Sequence, residues 1–141
     1  MKKRLAIVAK RPAIWQDTNI SYARVPDQGG HTTLALHLSI LRPFESQSQP
    51  LPVIFWFCGG GWITVDYNGR LPNLVDFVRA GYAVVSVEYR NSDQAHWPAQ
   101  LEDAKAAIRY IKAHAARYEI DPHRVAVMGE SAGHLASMVA L

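Results

Sequence analysis

Between Thr33 and Leu41 apolar and less apolar positions alternate, with Leu34, Leu36, Leu38 and Ile40 set against Ala35, His37 and Ser39. That is the two-residue period of a β-strand. Ile20 to Val25 reads as a strand before it, and Asp27-Gln28-Gly29-Gly30 between them predicts a hairpin. Farther along the alternation disappears. Val53-Ile54-Phe55-Trp56-Phe57 is an unbroken apolar run, which predicts a strand covered on both faces. A helix follows from about Leu71 to Ala80, closed by Gly81 in the position of a left-handed cap, and Tyr82 to Tyr89 is the next strand. Pro98 opens a long helix predicted to reach Tyr118, with Leu101, Ala104, Ile108, Ile111 and Ala115 on one face and Lys105, Arg109 and Lys112 on a solvated one. Val125 to Met128 reads as a short buried strand, and from Ala132 onward Leu135, Met138 and Val139 recur at helical spacing. A hairpin followed by alternating strands and helices predicts an α/β chain with parallel strands joined by crossover helices. The Ser-, Gln- and Pro-rich stretch Glu45 to Pro52 is a loop within it. Residues 20–141 are therefore expected to form one portion of a single domain, with residues 1–19 an N-terminal extension.

Composition narrows the partners. Of 141 residues 49% are hydrophobic, enough for a packed core and too many for a disordered chain. The net charge of +3 comes from basic residues scattered among acids, so no nucleic-acid partner is expected. Lys2-Lys3-Arg4 precedes the apolar stretch Leu5 to Ala9, which Lys10-Arg11-Pro12 ends before it reaches the length of a secretory or membrane-spanning segment. A cytoplasmic location and no membrane span are the expectation. Cys58 is the single cysteine, which rules out an internal disulfide and a cysteine-built metal cage.

The chemistry is concentrated in Val125-Ala-Val-Met-Gly129-Glu130-Ser131-Ala132-Gly133-His134. A G-x-S-x-G between a predicted strand and a predicted helix meets the context that a nucleophilic serine needs. A sharp strand-to-helix turn strains the serine's backbone and lifts its hydroxyl off the sheet. Flanking glycines are required because a Cβ there would collide with the neighbouring strand and helix. The helix N-terminus would add partial positive charge for an oxyanion. Cys58-Gly59-Gly60-Gly61-Trp62 follows the buried strand, where bare backbone N–H groups can approach a reacting carbonyl oxygen. A phosphate-binding loop does not fit, since Walker spacing and G-x-G-x-x-G are both absent.

These segments resemble the α/β-hydrolases that include carboxylesterases and lipases of the hormone-sensitive-lipase type and related acetyl- and feruloyl-ester hydrolases. The resemblance is carried, in family order, by Phe57 to Trp62, Val87-Glu88-Tyr89-Arg90, His96 to Asp103, Ile120 to Val125 and Gly129 to Ala136. It implies an incomplete α/β-hydrolase fold ending in the helix after the nucleophile elbow. It also implies that Ser131 is the nucleophile and that the N–H groups of Gly60, Gly61 and Ala132 form the oxyanion hole. Glu102 and Asp103 are given a structural role only. The family commonly has His where Cys58 stands, and many relatives carry one more glycine after Ser131-Ala132-Gly133, which shifts the phase of the following helix by about 100°.

In this fold the triad runs Ser, then Asp or Glu, then His. The ten residues 132–141 hold one histidine, His134, and no acid. His134 lies on the same helix as the serine and is a poor base, and His31, His37, His96, His114 and His123 all precede Ser131. The expected function is hydrolysis of small carboxylic esters, short acyl or acetyl, through a Ser131 acyl-enzyme whose acid and base lie outside this chain. The chain alone is expected to be nearly inactive. The helix also ends at Leu141 without a cap. An uncovered edge at Val125 to Met128 would then suit a complementing chain or self-association. An inactive remnant or interaction module and a peptidase of the same fold are the alternatives. Neither cofactor nor metal is expected.

Overall fold

The structure, a computed structural model, describes residues 12–139. The basic cluster Lys2-Lys3-Arg4 and the run Leu5 to Ala9 lie outside the described residues, as do residues 140 and 141. Five strands, β1 (Ile14–Pro26), β2 (Thr33–Pro43), β3 (Leu51–Phe57), β4 (Ala83–Val87) and β5 (Ile120–Gly129), form one sheet in the order β1-β2-β4-β3-β5. The expected hairpin is β1 against β2, antiparallel. Asp27 closes it: its N–H donates to the Thr32 carbonyl at 3.0 Å, and its carboxylate accepts from the His31 N–H and the Thr32 hydroxyl. β2 runs antiparallel to β4, while β3 lies parallel to both β4 and β5. α1 (Leu71–Arg79) connects β3 to β4, and α2 (Ala99–Ala113) leads from β4 to β5.

The two kinds of strand pattern have one cause. Leu36, Leu38 and Ile40 of β2, Val53, Phe55 and Phe57 of β3, and Ala83, Val85 and Val87 of β4 all belong to one core cluster with Ala104, Ala107 and Ile111 of α2. The residues of opposite parity, Leu41, Trp56 and Val84, pack with Leu71, Leu74 and Val78 of α1 in a second cluster. A sheet with a helix on each face needs apolar side chains at both parities, so the central strands lose their alternation. α1 ends as expected at Gly81, whose φ of +94° a β-carbon would resist. The Gly81 and Tyr82 N–H groups return to the Val78 and Phe77 carbonyls, the paired bonds of a left-handed helix cap.

Four expectations require correction. β1 begins at Ile14, so Ile14 to Asn19, expected to belong to an extension, are strand paired to β2 at Ile14, Trp15, Gln16 and Asp17. The helix expected to reach Tyr118 stops at Ala113, and Ala115–Tyr118 is a separate 3-10 turn ended by Glu119 at φ +57°. β5 has the uncovered edge expected at Val125 to Met128 but not the expected burial: it is an edge strand in which Ala126 is exposed and Val125, Val127 and Met128 are half-buried. The helix expected from Ala132 opens as a 3-10 turn, Ser131–His134, before α3 (Leu135–Val139).

Candidate active site

Ser131 sits where β5 passes into the 3-10 turn, at φ +50°, in the left-handed region that a non-glycine residue enters at a cost of about 1–3 kcal/mol. Its flanking glycines explain how the turn is held. A Cβ on Gly129 would lie 2.0 Å from the Gly133 carbonyl oxygen, and one on Gly133 would lie 2.0 Å from the Phe57 carbonyl oxygen at the end of β3. The turn therefore packs backbone against backbone. The Gly133 N–H donates to the Glu130 carbonyl at 2.7 Å and the Glu130 N–H to the Phe57 carbonyl at 3.3 Å.

The glycine-rich loop after β3 comes up against this turn. A Cβ on Gly59 would approach Glu130 O at 2.9 Å and Ser131 Cβ at 3.0 Å. The loop folds over Gly60, whose carbonyl accepts from the Ile63 and Thr64 N–H groups at 3.1 and 3.0 Å. The segment after β4 holds its other carbonyls: Tyr89 Oη donates to Cys58 O at 2.6 Å, the Ser92 N–H to Trp62 O at 2.8 Å, and Asn91 Nδ2 to Ile63 O at 2.9 Å.

Ser131 and Gly60 line a common pocket of about 550 Å³, together with Cys58, Gly59, Asp66, Gly69, Arg70 and Glu130. Gly61 is exposed and Ala132 is buried, and neither belongs to that lining. The opposite wall is built from the sheet. Ser39 of β2 and Ser86 of β4 are register partners, buried among apolar residues. Ser39 Oγ donates to Asn68 Oδ1 at 2.7 Å and Ser86 Oγ donates to Tyr67 O, which fixes the loop that brings Asp66, Gly69 and Arg70 to the pocket. Arg70 Nε reaches Glu130 Oε1 at 3.1 Å across it.

Cys58, 2% exposed, is a core residue. Burial, with the nearby carboxylates Asp66, Glu130 and Glu88, pushes its thiol up to about 11. It remains a thiol at neutral pH and is not a competing nucleophile. No histidine lines the pocket. His37 pairs with Glu88, Nδ1 to Oε2 at 3.0 Å, in an arrangement like the base and acid of a triad. It stands on β2, three strand positions from β5, which at about 4.8 Å per strand sets the two strands some 14 Å apart across the sheet. His123 is near the start of β5 and Ser131 follows its end. His96 is held by Gln28 at 2.9 Å in another pocket.

Glu102 and Asp103 were expected to be structural, and they differ. Glu102 is exposed, while Asp103, 2% exposed, takes three hydrogen bonds from Arg90: backbone N to Oδ2 at 3.0 Å, Nε to Oδ2 at 2.8 Å and Nη2 to Oδ1 at 2.7 Å. This two-pronged pair joins the segment carrying Tyr89 to α2. The sequence offered only a hint of it, acids at the start of a helix.

The sequence profile of the BD-FAE family matches residues 38–141. The chain belongs to the BD-FAE family. Relatives of this BD-FAE chain include one named "Probable carboxylic ester hydrolase LipM" from Mycobacterium tuberculosis, 36% identical over 89% of the chain, and "Lipase 2" from Moraxella sp., 31% identical over 89%. The chain spans only 28% and 29% of the lengths of these two. Among solved structures it matches a bacterial heroin esterase at 30% identity, covering 94% of this chain and 40% of that one with a TM-score of 0.71. A truncated carbohydrate esterase from gut microbiota matches at 30% identity, covering 92% and 44% with a TM-score of 0.66. The BD-FAE chain thus has part of the α/β-hydrolase fold, shared with esterases. None of its described helices is long and apolar enough to cross a membrane.

Proposed function

We propose that this chain supplies the nucleophile half of a serine carboxylic-ester hydrolase acting on small-molecule esters of short acyl groups. Ser131 Oγ attacks the ester carbonyl carbon, the serine proton passes to a base, and the carbonyl oxygen gathers negative charge facing the N–H groups of Gly60, Gly61 and Ala132. The bond to the alcohol breaks, the alcohol leaves with a proton, and water hydrolyses the acyl-Ser131 ester. The base and its orienting carboxylate are contributed by sequence outside these 141 residues, and the chain acts in the cytoplasm. The observation that carries the reading is Ser131 at φ +50°, opening on the pocket it shares with Gly60. The ester hydrolases among its relatives favour esters over the amide bonds of a peptidase.

A fluorophosphonate reagent followed by peptide mapping tests this. With solvent water taking the serine proton as fluoride leaves, slow labelling is expected on the peptide containing Ser131 and none on Ser131→Ala. Labelling spread over other hydroxyl groups, or none, would contradict it.

A second reading, an interaction module without catalysis, is favoured by the half-exposed edge strand β5. Concentration-dependent self-association in analytical ultracentrifugation, abolished by Val127→Lys on that edge, would support a role for the edge in pairing with another chain or a second copy.

A further inference from the structure

The pocket that Ser131 shares with Gly60 is lined by three charged side chains, Asp66, Arg70 and Glu130, and their charges do not cancel. Arg70 Nε lies 3.1 Å from Glu130 Oε1, so the one cation is committed to one of the two acids. Asp66 forms no ion pair among the described residues. One cation against two carboxylates leaves the lining with a single negative charge, and Asp66 carries it.

The loop that carries Asp66 is built to keep that carboxylate in place. Its Oδ1 accepts from the Gly69 N–H at 2.9 Å. A Cβ on Gly69 would fall 2.3 Å from Asp66 Oδ2, so glycine is what lets the carboxylate lie against the loop. The intervening residues are anchored from within the sheet, Asn68 by Ser39 and Tyr67 by Ser86. The charge is felt on the far side of the pocket as well. Burial is the largest cause of the raised Cys58 thiol, and of the charges that add to it Asp66 comes first and Glu130 second.

That field sorts possible substrates by charge. An anionic ester would be repelled, and a neutral one gains nothing from Asp66. A cationic group is attracted, and a pocket of about 550 Å³ has room for a small ester that bears one. Resting on the ester-hydrolysis reading, we infer that Asp66 is a specificity-determining residue of the Ser131 pocket and selects small esters that carry an ammonium group.

Rates of Ser131 acylation, read by mass spectrometry of the 141-residue chain at low salt, test this with two pairs of near-isosteric esters. One pair carries the charge in the acyl group: the p-nitrophenyl ester of γ-trimethylammoniobutyric acid and that of its tert-butyl analogue, in which carbon replaces nitrogen. The other carries it in the leaving group: the acetates of m-hydroxyphenyltrimethylammonium and of m-tert-butylphenol. Dividing the cationic-to-neutral rate ratio of the parent by that of Asp66→Asn cancels the intrinsic reactivity of each ester. In at least one pair the quotient is expected to be about three- to fivefold, the size of an exposed charge pair, and to fall towards unity in about 1 M salt. Gly69→Ala, which displaces only the end of the Asp66 side chain, should lower the parent's ratio. Arg70→Gln, which releases the Glu130 carboxylate, should raise it, a direction that a loss of structure does not give. Acylation of Ser131 with a quotient of one in both pairs overturns this inference alone. No acylation by any of the four esters overturns the ester-hydrolysis reading and this inference with it.

Discussion

Tyr89 holds the carbonyl of Cys58, its hydroxyl donating at 2.6 Å from a side chain that is 1% exposed. The two residues follow neighbouring parallel strands, β4 and β3. The bond therefore fixes the base of the glycine loop relative to the sheet that also carries Ser131. Tyr89→Phe leaves a buried carbonyl oxygen without its donor, at a cost of about 1–3 kcal/mol. Urea denaturation should show that loss with an unchanged m value, and fluorophosphonate labelling of Ser131 should slow, because the loop loses its anchor while the serine keeps its own turn.

The Arg90–Asp103 pair predicts a larger effect. Asp103→Ala leaves a guanidinium, 10% exposed, without its carboxylate, and removing one partner of a buried pair costs about 3–5 kcal/mol. Thermal unfolding should place Asp103→Ala well below the parent. A double replacement of Arg90 and Asp103 by Met and Leu should recover much of the difference, since it strands no charge.

The two glycine-rich segments should respond to alanine differently. Gly133→Ala drives a Cβ to 2.0 Å from a main-chain oxygen of β3, which cannot move without displacing the strand. A loss of at least about 1–3 kcal/mol is expected. Gly61→Ala meets open space and bears only the strain of φ +62°, about 1–2 kcal/mol. Circular dichroism melts of the two variants give the order directly.

Burial of Cys58 has a measurable sign. A thiol raised from 9.0 to about 11 binds its proton more tightly in the folded chain than in the unfolded one. Its contribution to stability is complete below pH 9.0 and is lost as the pH rises towards about 11. Tyr118, raised by burial to about 12, extends the same trend. Urea midpoints should therefore fall from about pH 9 upward, and Cys58 should react with a thiol reagent at pH 8 far more slowly in the folded chain than in urea.

The elbow and the central sheet were legible because each depends on short-range constraints. A serine at positive φ needs its glycines, and strands with helices on both faces need apolar residues at both parities. Ile14 to Asn19 carry no such signal because Trp15, Gln16 and Thr18 are exposed and Ile14 to Asp17 pair through their backbone, leaving no apolar period to read. The helix break at His114 was invisible because Ala115 and Tyr118 still pack into the core, so the periodicity runs on across a change of helix type. Glu119 takes the left-handed position there without glycine as a signal. Arg90–Asp103 and Tyr89–Cys58 span 13 and 31 residues. Pairings of that kind are set by the crossover of α2 and by adjacent strand ends, which no local pattern encodes.

Mass spectrometry of the chain after exposure to p-nitrophenyl acetate shows whether Ser131 is a nucleophile that lacks its base. p-Nitrophenolate leaves without needing a general acid and solvent water can take the serine proton, so acylation can proceed slowly, whereas release of the acetyl group needs a base to activate water. One acetyl group is expected to accumulate on Ser131 and none on Ser131→Ala, with no repeated turnover. An unmodified Ser131, or many Ser131-dependent turnovers per chain, would contradict it.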